Sequence, residues 1–97
     1  MRFEILLAPE AIRDSRNLDP DVWAGVRAAI DLHLRHEPTK VSRSRIKRLR
    51  GLRKPQFRLR VGDVRVFYDV LGSQVQVLAI VTKSQAAAWL EEAGEPE

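Results

Sequence analysis

Hydrophobic side chains recur with two different periods along this sequence, and the change of period marks its elements. Phe3, Ile5 and Leu7 alternate with Arg2, Glu4 and Leu6, the two-residue period of a half-buried strand. Pro9 ends that run, and with Glu10 behind it, where a helix dipole favours an acid, it predicts a short helix to about Leu18. Asp19-Pro20-Asp21 signals a second start, with Asp19 as N-cap and Pro20 at the first helical position. Val22, Val26, Ile30 and Leu34, with Trp23 and Ala29 beside them, then recur at helical spacing through about Arg35. Residues 9 to 36 thus predict two antiparallel helices joined near residues 17 to 19, with Trp23 in the core between helix and sheet.

Glu37-Pro38-Thr39 breaks the second helix, because proline removes a donor and disfavours helical geometry in the residue before it. The next stretch has only Val41, Ile46, Leu49 and Leu52 as sizeable aliphatic side chains, which fits either a short helix ending at Gly51 or an irregular connector. Strand character returns with Phe57-Arg58-Leu59-Arg60-Val61, apolar on one face and positive on the other. Gly62-Asp63 turns the chain into Val64 to Val70, and Gly72-Ser73 turns it again into Val75 to Val81, dense enough in aliphatic residues for a central strand. Ser84 can cap a last helix over Gln85 to Glu92, and Gly94 to Glu97 reads as an acidic frayed end. The pattern is α+β: an antiparallel β-meander and an N-terminal strand packed against a helical hairpin, with a short C-terminal helix.

At 97 residues the chain suits one domain spanning residues 1 to 97, with a modest core. The absence of cysteine removes disulfide, thiol and thiolate-metal chemistry. The opening apolar run is too short for a signal-peptide core, and no stretch approaches the roughly 18 apolar residues of a membrane span, so a cytoplasmic chain with no membrane partner is expected.

The net charge of +4 conceals a segregation. Between residues 40 and 65 lie Lys40, Arg43, Arg45, Lys47, Arg48, Arg50, Arg53, Lys54, Arg58, Arg60 and Arg65 against the single acid Asp63, so this stretch carries +10 and the remainder −6. Such a block points to a polyanion partner, RNA, DNA or an acidic protein. Its bias toward arginine suits bidentate phosphate contact.

The chemistry this supports is limited. His33 and His36 lie three apart with no third ligand, and no Gly-rich phosphate loop or Ser-His-Asp order occurs, so neither metal nor cofactor is expected. What remains is an exposed strand face carrying Arg58, Arg60 and Arg65, flanked by the basic stretch and by Lys83. Cations at a phosphodiester, a proton acceptor for the ribose 2′-hydroxyl, a donor for the leaving oxygen and an aromatic for the base suffice for metal-free RNA cleavage. Trp89, about a turn beyond Lys83, either stacks a base or packs on the sheet with Ala86 and Leu90. Phe67 and Tyr68 are neighbours on a strand and face opposite sides, so at least one is core. Lys47, Arg48, Arg50 and Lys54 fit substrate-phosphate binding better than chemistry.

Leu49-Arg50-Gly51-Leu52, followed by the strand-turn-strand from Phe57 to Val70, resembles the RelE/ParE superfamily of toxins from bacterial toxin–antitoxin pairs, and the likeness extends along the whole chain. The resemblance implies a compact α+β fold and an acidic antitoxin that wraps the toxin. It implies, for the RelE-like branch, ribosome-dependent cleavage of messenger RNA and inhibition of translation, and for the ParE-like branch, non-enzymatic inhibition of DNA gyrase; a degenerate member would only bind its antitoxin. By position, Arg58 and Arg60 match two basic strand residues at the phosphate where lysine is usual, Arg65 the transition-state arginine, Lys83 an arginine acting as general acid, and Trp89 a substrate-orienting tyrosine. Arginine is a poor base, so Arg60 is expected to stabilise charge instead. The resemblance favours the RelE-like branch, and with it a metal-independent endoribonuclease.

Overall fold

The structure, a computed structural model, describes residues 2 to 97. In chain order its elements are β1 (Glu4–Leu7), α1 (Pro9–Asn17), α2 (Pro20–Leu34), β2 (Ile46–Arg48), β3 (Leu52–Lys54), β4 (Phe57–Val61), β5 (Val64–Leu71), β6 (Gln74–Thr82), α3 (Lys83–Ala93) and β7 (Glu95–Pro96). The helical hairpin forms where the proline and Asp19 signals placed it: Pro9 and Pro20 sit in the first turns, and the Asp19 carboxylate accepts the Asp21 N–H.

A five-stranded sheet runs in the order β1-β6-β5-β4-β2. The meander of β4, β5 and β6 is antiparallel throughout, and β1 joins β6 in parallel, pairing Glu4 with Gln74 and Leu7 with Val77. β6 is interior as its composition suggests, although β5 occupies the middle. Gly62 and Gly72 open the two tight turns with φ of 57° and 59°, a conformation glycine adopts without strain.

Three features differ from the sequence reading. The basic stretch is not a helix and is an irregular connector only in part: residues 37 to 45 carry no helix or strand, but residues 46 to 48 form β2 on the edge of β4 and residues 52 to 54 form β3. Residues 95 and 96 are not frayed: they pair with β3 in a second, two-stranded sheet. The cap of α3 is Thr82 rather than Ser84, since Thr82 and Gln85 satisfy each other's backbone in a capping box and the helix begins at Lys83.

Cross-strand partners share a sheet face, so the register sorts the side chains. Phe57, Leu59, Val64, Val66, Tyr68, Val75, Val77 and Ile80 form the larger core with Ala11, Val26, Ile30, Leu34 and Ile46, and Trp23 packs half-buried at its margin. Tyr68 stacks on Phe57 with centroids 5.5 Å apart, and its hydroxyl donates to the Pro38 carbonyl at 2.6 Å, satisfying the one polar group it brings inside. Burial raises its pKa, so the phenol stays protonated and can donate. Phe67 faces the other way, into a smaller cluster with Ala79, Val81, Leu49, Ala86, Trp89 and Leu90. From Val64 to Asp69 every residue of β5 is buried, as expected for a strand covered on both sides.

β1 ends at Leu7, so β6 continues past it without a neighbour on that edge. The carboxylate of Asp14 on α1 takes over, accepting the Ile80 N–H at 2.9 Å. Desolvation raises the Asp14 pKa, partly offset by this bond. Asp14→Ala should cost about 1 to 3 kcal/mol by leaving a buried donor unpaired, whereas Asp14→Asn, which keeps an acceptor, should recover most of that loss in chemical denaturation.

Candidate functional site

The helical hairpin covers one face of the sheet, while α3, eleven residues long, covers part of the other. Its apolar side rests on Phe67, Ala79 and Val81, with Trp89 stacked on Phe67 at 4.9 Å and 9°. Toward the β4–β5 turn that face is cationic, while Asp69 toward the other end is buried and accepts the Gln56 N–H. Arg58 lies opposite Phe67 and Arg60 opposite Arg65, so the β4 and β5 arginines share one side, and Lys47 joins them from β2 as the partner of Arg58. Lys83 reaches the same end of the sheet, because its backbone N–H donates to Asp63 O in the β4–β5 turn at 2.8 Å.

The three arginines occupy distinct environments. Arg60 is exposed. Arg65 is not on an exposed face as the sequence suggested: only 6% of it is accessible, and its Nη1 donates to Gly62 O at 2.8 Å and Val64 O at 3.1 Å, bracing its own turn. Arg58 is half-buried, and its Nε is buried without a hydrogen-bond partner. Desolvation, then the charges of Arg65 and Arg60, lower the Arg58 pKa. Among the described residues the ion pairs are Arg35–Asp31, Lys40–Glu37 and Arg53–Glu95, so no carboxylate neutralises this cluster. Guanidiniums without a carboxylate partner on one face have the chemistry to receive an anion such as a phosphodiester.

Other residues singled out from the sequence are placed elsewhere. Arg48 shares the face of Phe57, its guanidinium 5.1 Å from that ring's centroid, and so turns away from Arg58. Arg50 is exposed in the β2–β3 turn, and Lys54 is half-buried on β3 opposite Glu95. Trp89 gives one ring face to Phe67 and its indole N–H to the Glu10 carboxylate at 2.6 Å, so a base could reach only its outer face. The sequence reads Lys47 and Arg48 alike; only Lys47 lies on the cationic face, which follows from strand parity once β2 is recognised.

Two cavities lie off this face. One of about 570 Å³ separates α2 from β1, lined by Ile5, Leu7, Trp23, Ala28 and Ile30. The other, about 290 Å³, brings His33 and His36 together with Lys40 and Arg45, and no group of three metal-ligating side chains forms among the described residues. Among the described residues no helix is long and apolar enough to cross a membrane.

No family model matches the sequence and no curated protein does. Solved structures do match. The chain is similar to the toxin–antitoxin complex RelBE2 of Mycobacterium tuberculosis, with a TM-score of 0.68 and 25% identity over 84% of this chain and 99% of that one. It is similar to the RelE–RelB complex of Pyrococcus horikoshii, with a TM-score of 0.70 and 19% identity over 88% and 99% of the respective chains. A double mutant of the Escherichia coli toxin RelE in the free state gives a TM-score of 0.59 and 18% identity over 96% and 95% of the respective chains.

Two outcomes follow from these environments. Replacing Arg58 by Leu removes a desolvated, mutually repelled charge, so the variant should gain up to about 1 kcal/mol in stability, read as a higher midpoint in chemical denaturation. Burial, aided by Arg45, lowers the His33 pKa below its ordinary 6.5. The unfolded chain therefore binds the proton more readily, and stability should fall as pH drops through 6.5 toward that lower value; His33→Gln should remove this slope in denaturation curves taken across that window.

Proposed function

The chain is a RelE-like toxin in fold, and on that premise we propose that it is the toxin of a type II toxin–antitoxin pair and a metal-independent endoribonuclease acting on messenger RNA at the ribosome. The observation that supports this reading is the un-neutralised cluster of Arg58, Arg60 and Arg65 on the half-covered face. It suits a reaction whose transition state gathers negative charge on phosphorus.

In this reading the 2′-hydroxyl oxygen attacks the adjacent phosphorus, a 2′-O–P bond forms, and the P–O5′ bond breaks to leave a cyclic phosphate. Arg58 and Arg60 hold the non-bridging oxygens. Arg65, clamped by two carbonyls, presents its remaining N–H groups in a fixed direction. Lys83 gives a proton to the departing 5′-oxygen. Arginine at 58 and 60 is a poor base, so the 2′-hydroxyl proton leaves to solvent water, and Lys47, the amine opposite Arg58, adds its side chain at the phosphate. Arg50 and Lys54 bind phosphates further along the strand. Trp89 orients a base with its outer face, and Arg48 serves positioning at the edge. The partner is an antitoxin, in keeping with the toxin–antitoxin complexes to which the chain is similar; the charge block calls for an acidic one, and the chain acts in the cytoplasm.

Primer extension on a reporter message in a reconstituted translation reaction, with purified chain and without gyrase, should give discrete new ends inside the reading frame. Arg60→Ala is the cleaner variant, because Arg65→Ala also strips bonds from the turn; it should cut cleavage about a hundredfold without lowering Tm. Intact message with translation unimpaired would overturn the ribonuclease reading and shift the weight to gyrase inhibition or to antitoxin binding alone.

A further inference from the structure

The segment between α2 and β2 forms one wall of the smaller cavity, and its path is tied at both ends. The carbonyl of the buried Pro38 accepts the Tyr68 hydroxyl at 2.6 Å, while Ser42 Oγ accepts the N–H groups of Arg45 and Ile46 at 3.1 and 3.2 Å. The Ser42 N–H donates in turn to Ile46 O at 2.9 Å. Between these ties and the last turn of α2 lies a space of about 290 Å³, walled by His33, His36, Lys40, Ser42, Arg45 and Ile46. Small-molecule sites begin at about that size, roughly 300 Å³.

The walls are rich in donors and poor in acceptors. Among the described lining residues Glu37 is the only acid, and Lys40 already engages it at 3.3 Å. Neither His33 nor Arg45 joins an ion pair among the described residues. With its oxygen accepting two backbone N–H groups, the Ser42 hydroxyl keeps its hydrogen to donate. His33 sits in the last turn of α2, where the negative end of a helix favours an imidazolium, yet burial and the charge of Arg45 lower its pKa. An imidazole and a guanidinium that oppose each other's charge both gain from an anion beside them.

We propose that this cavity binds a phosphate group, held by Arg45, His33, His36 and the Ser42 hydroxyl, at a site separate from the cluster of Arg58, Arg60 and Arg65. Binding brings a proton onto His33, so the site takes its ligand more tightly as pH falls. A free phosphate and a backbone phosphate of RNA offer the same oxygens. The second source would carry the cationic face round the sheet edge, because Arg45 stands beside Arg60, whose N–H donates to Arg45 O at 2.8 Å. That source alone rests on the ribonuclease reading above; the pocket and its chemistry do not.

Sulfate is the first probe, because it is tetrahedral like phosphate and keeps its charge between about pH 5 and pH 8, where a histidine titrates. The isotopically labelled full chain is titrated with sodium sulfate against sodium chloride of equal ionic strength, and separately with a short oligouridylate. Sulfate should shift the amides of Ser42 and Arg45 saturably and raise the His33 midpoint by about half a pH unit or more. By linkage that is about threefold tighter binding below the midpoint than well above it. His33→Gln should remove the pH dependence, Arg45→Gln should weaken binding at every pH, and Arg60→Ala should leave the His33 response in place. Unchanged β5 and β6 amides report that each variant is folded. An oligouridylate that moves the His33 midpoint as sulfate does would identify RNA as the source; one that moves only Arg58 and Arg60 would assign the pocket to a free phosphate. Shifts matched by chloride, a His33 midpoint that sulfate does not raise, or unchanged affinity in a folded Arg45→Gln would each overturn the proposal. None of these readouts involves message cleavage, whose failure would sink the ribonuclease reading alone.

Discussion

The arrangement depends on one shortfall of coverage. A sheet whose middle strand is buried from Val64 to Asp69 requires a layer on each side, and the chain supplies two helices for one face but a single eleven-residue helix for the other. α3 screens Phe67, Ala79 and Val81 and stops there. The strand period continues beneath it, so the next inward-facing positions on that side, Arg58, Arg60 and Arg65, must be compatible with water or with an anion. Where the apolar cover ends, the cationic face begins.

That boundary is held by few contacts. The Phe67–Trp89 stack anchors α3, the Trp89 N–H ties it to Glu10 on α1, and the Thr82–Gln85 capping box sets where the helix leaves β6. Arg65 then links the boundary to the β4–β5 turn through Gly62 O and Val64 O. A buried guanidinium bound to carbonyls keeps its charge while losing its freedom, which favours an electrostatic role over a proton-transfer one.

The sequence made the helical hairpin and the meander legible, because Val22 to Leu34 and Phe57 to Val81 carry clear periods and are punctuated by proline, glycine and aspartate. It hid β2, β3 and β7. Ile46-Lys47-Arg48 and Leu52-Arg53-Lys54 are three residues each, too short for a period to register, and their basic composition carries no β preference. Glu95-Pro96 runs against strand propensity altogether, and pairing with β3 overrides it. The same gap explains the site residues. Parity on β4 and β5 is readable, so Arg58, Arg60 and Arg65 can be placed on one side; parity on β2 is not, so Lys47 and Arg48 read alike although only Lys47 shares the side of Arg58. The burial of Arg65 left no trace in the pattern, because the carbonyls that hold it belong to its own turn.

The parallel pairing of β1 with β6 orders events during synthesis. Glu4 finds its partner only at Gln74 and Leu7 only at Val77, so the first strand made waits for one of the last. Contacts of such separation form late and at a cost in loop entropy. Until residues 74 to 77 have been synthesised, the N-terminal strand has no edge to join, and Ile80, whose N–H Asp14 must receive, does not yet exist. A nascent chain still on its ribosome therefore lacks the finished sheet that positions the arginines, and the basic face is assembled only once the polypeptide is nearly complete.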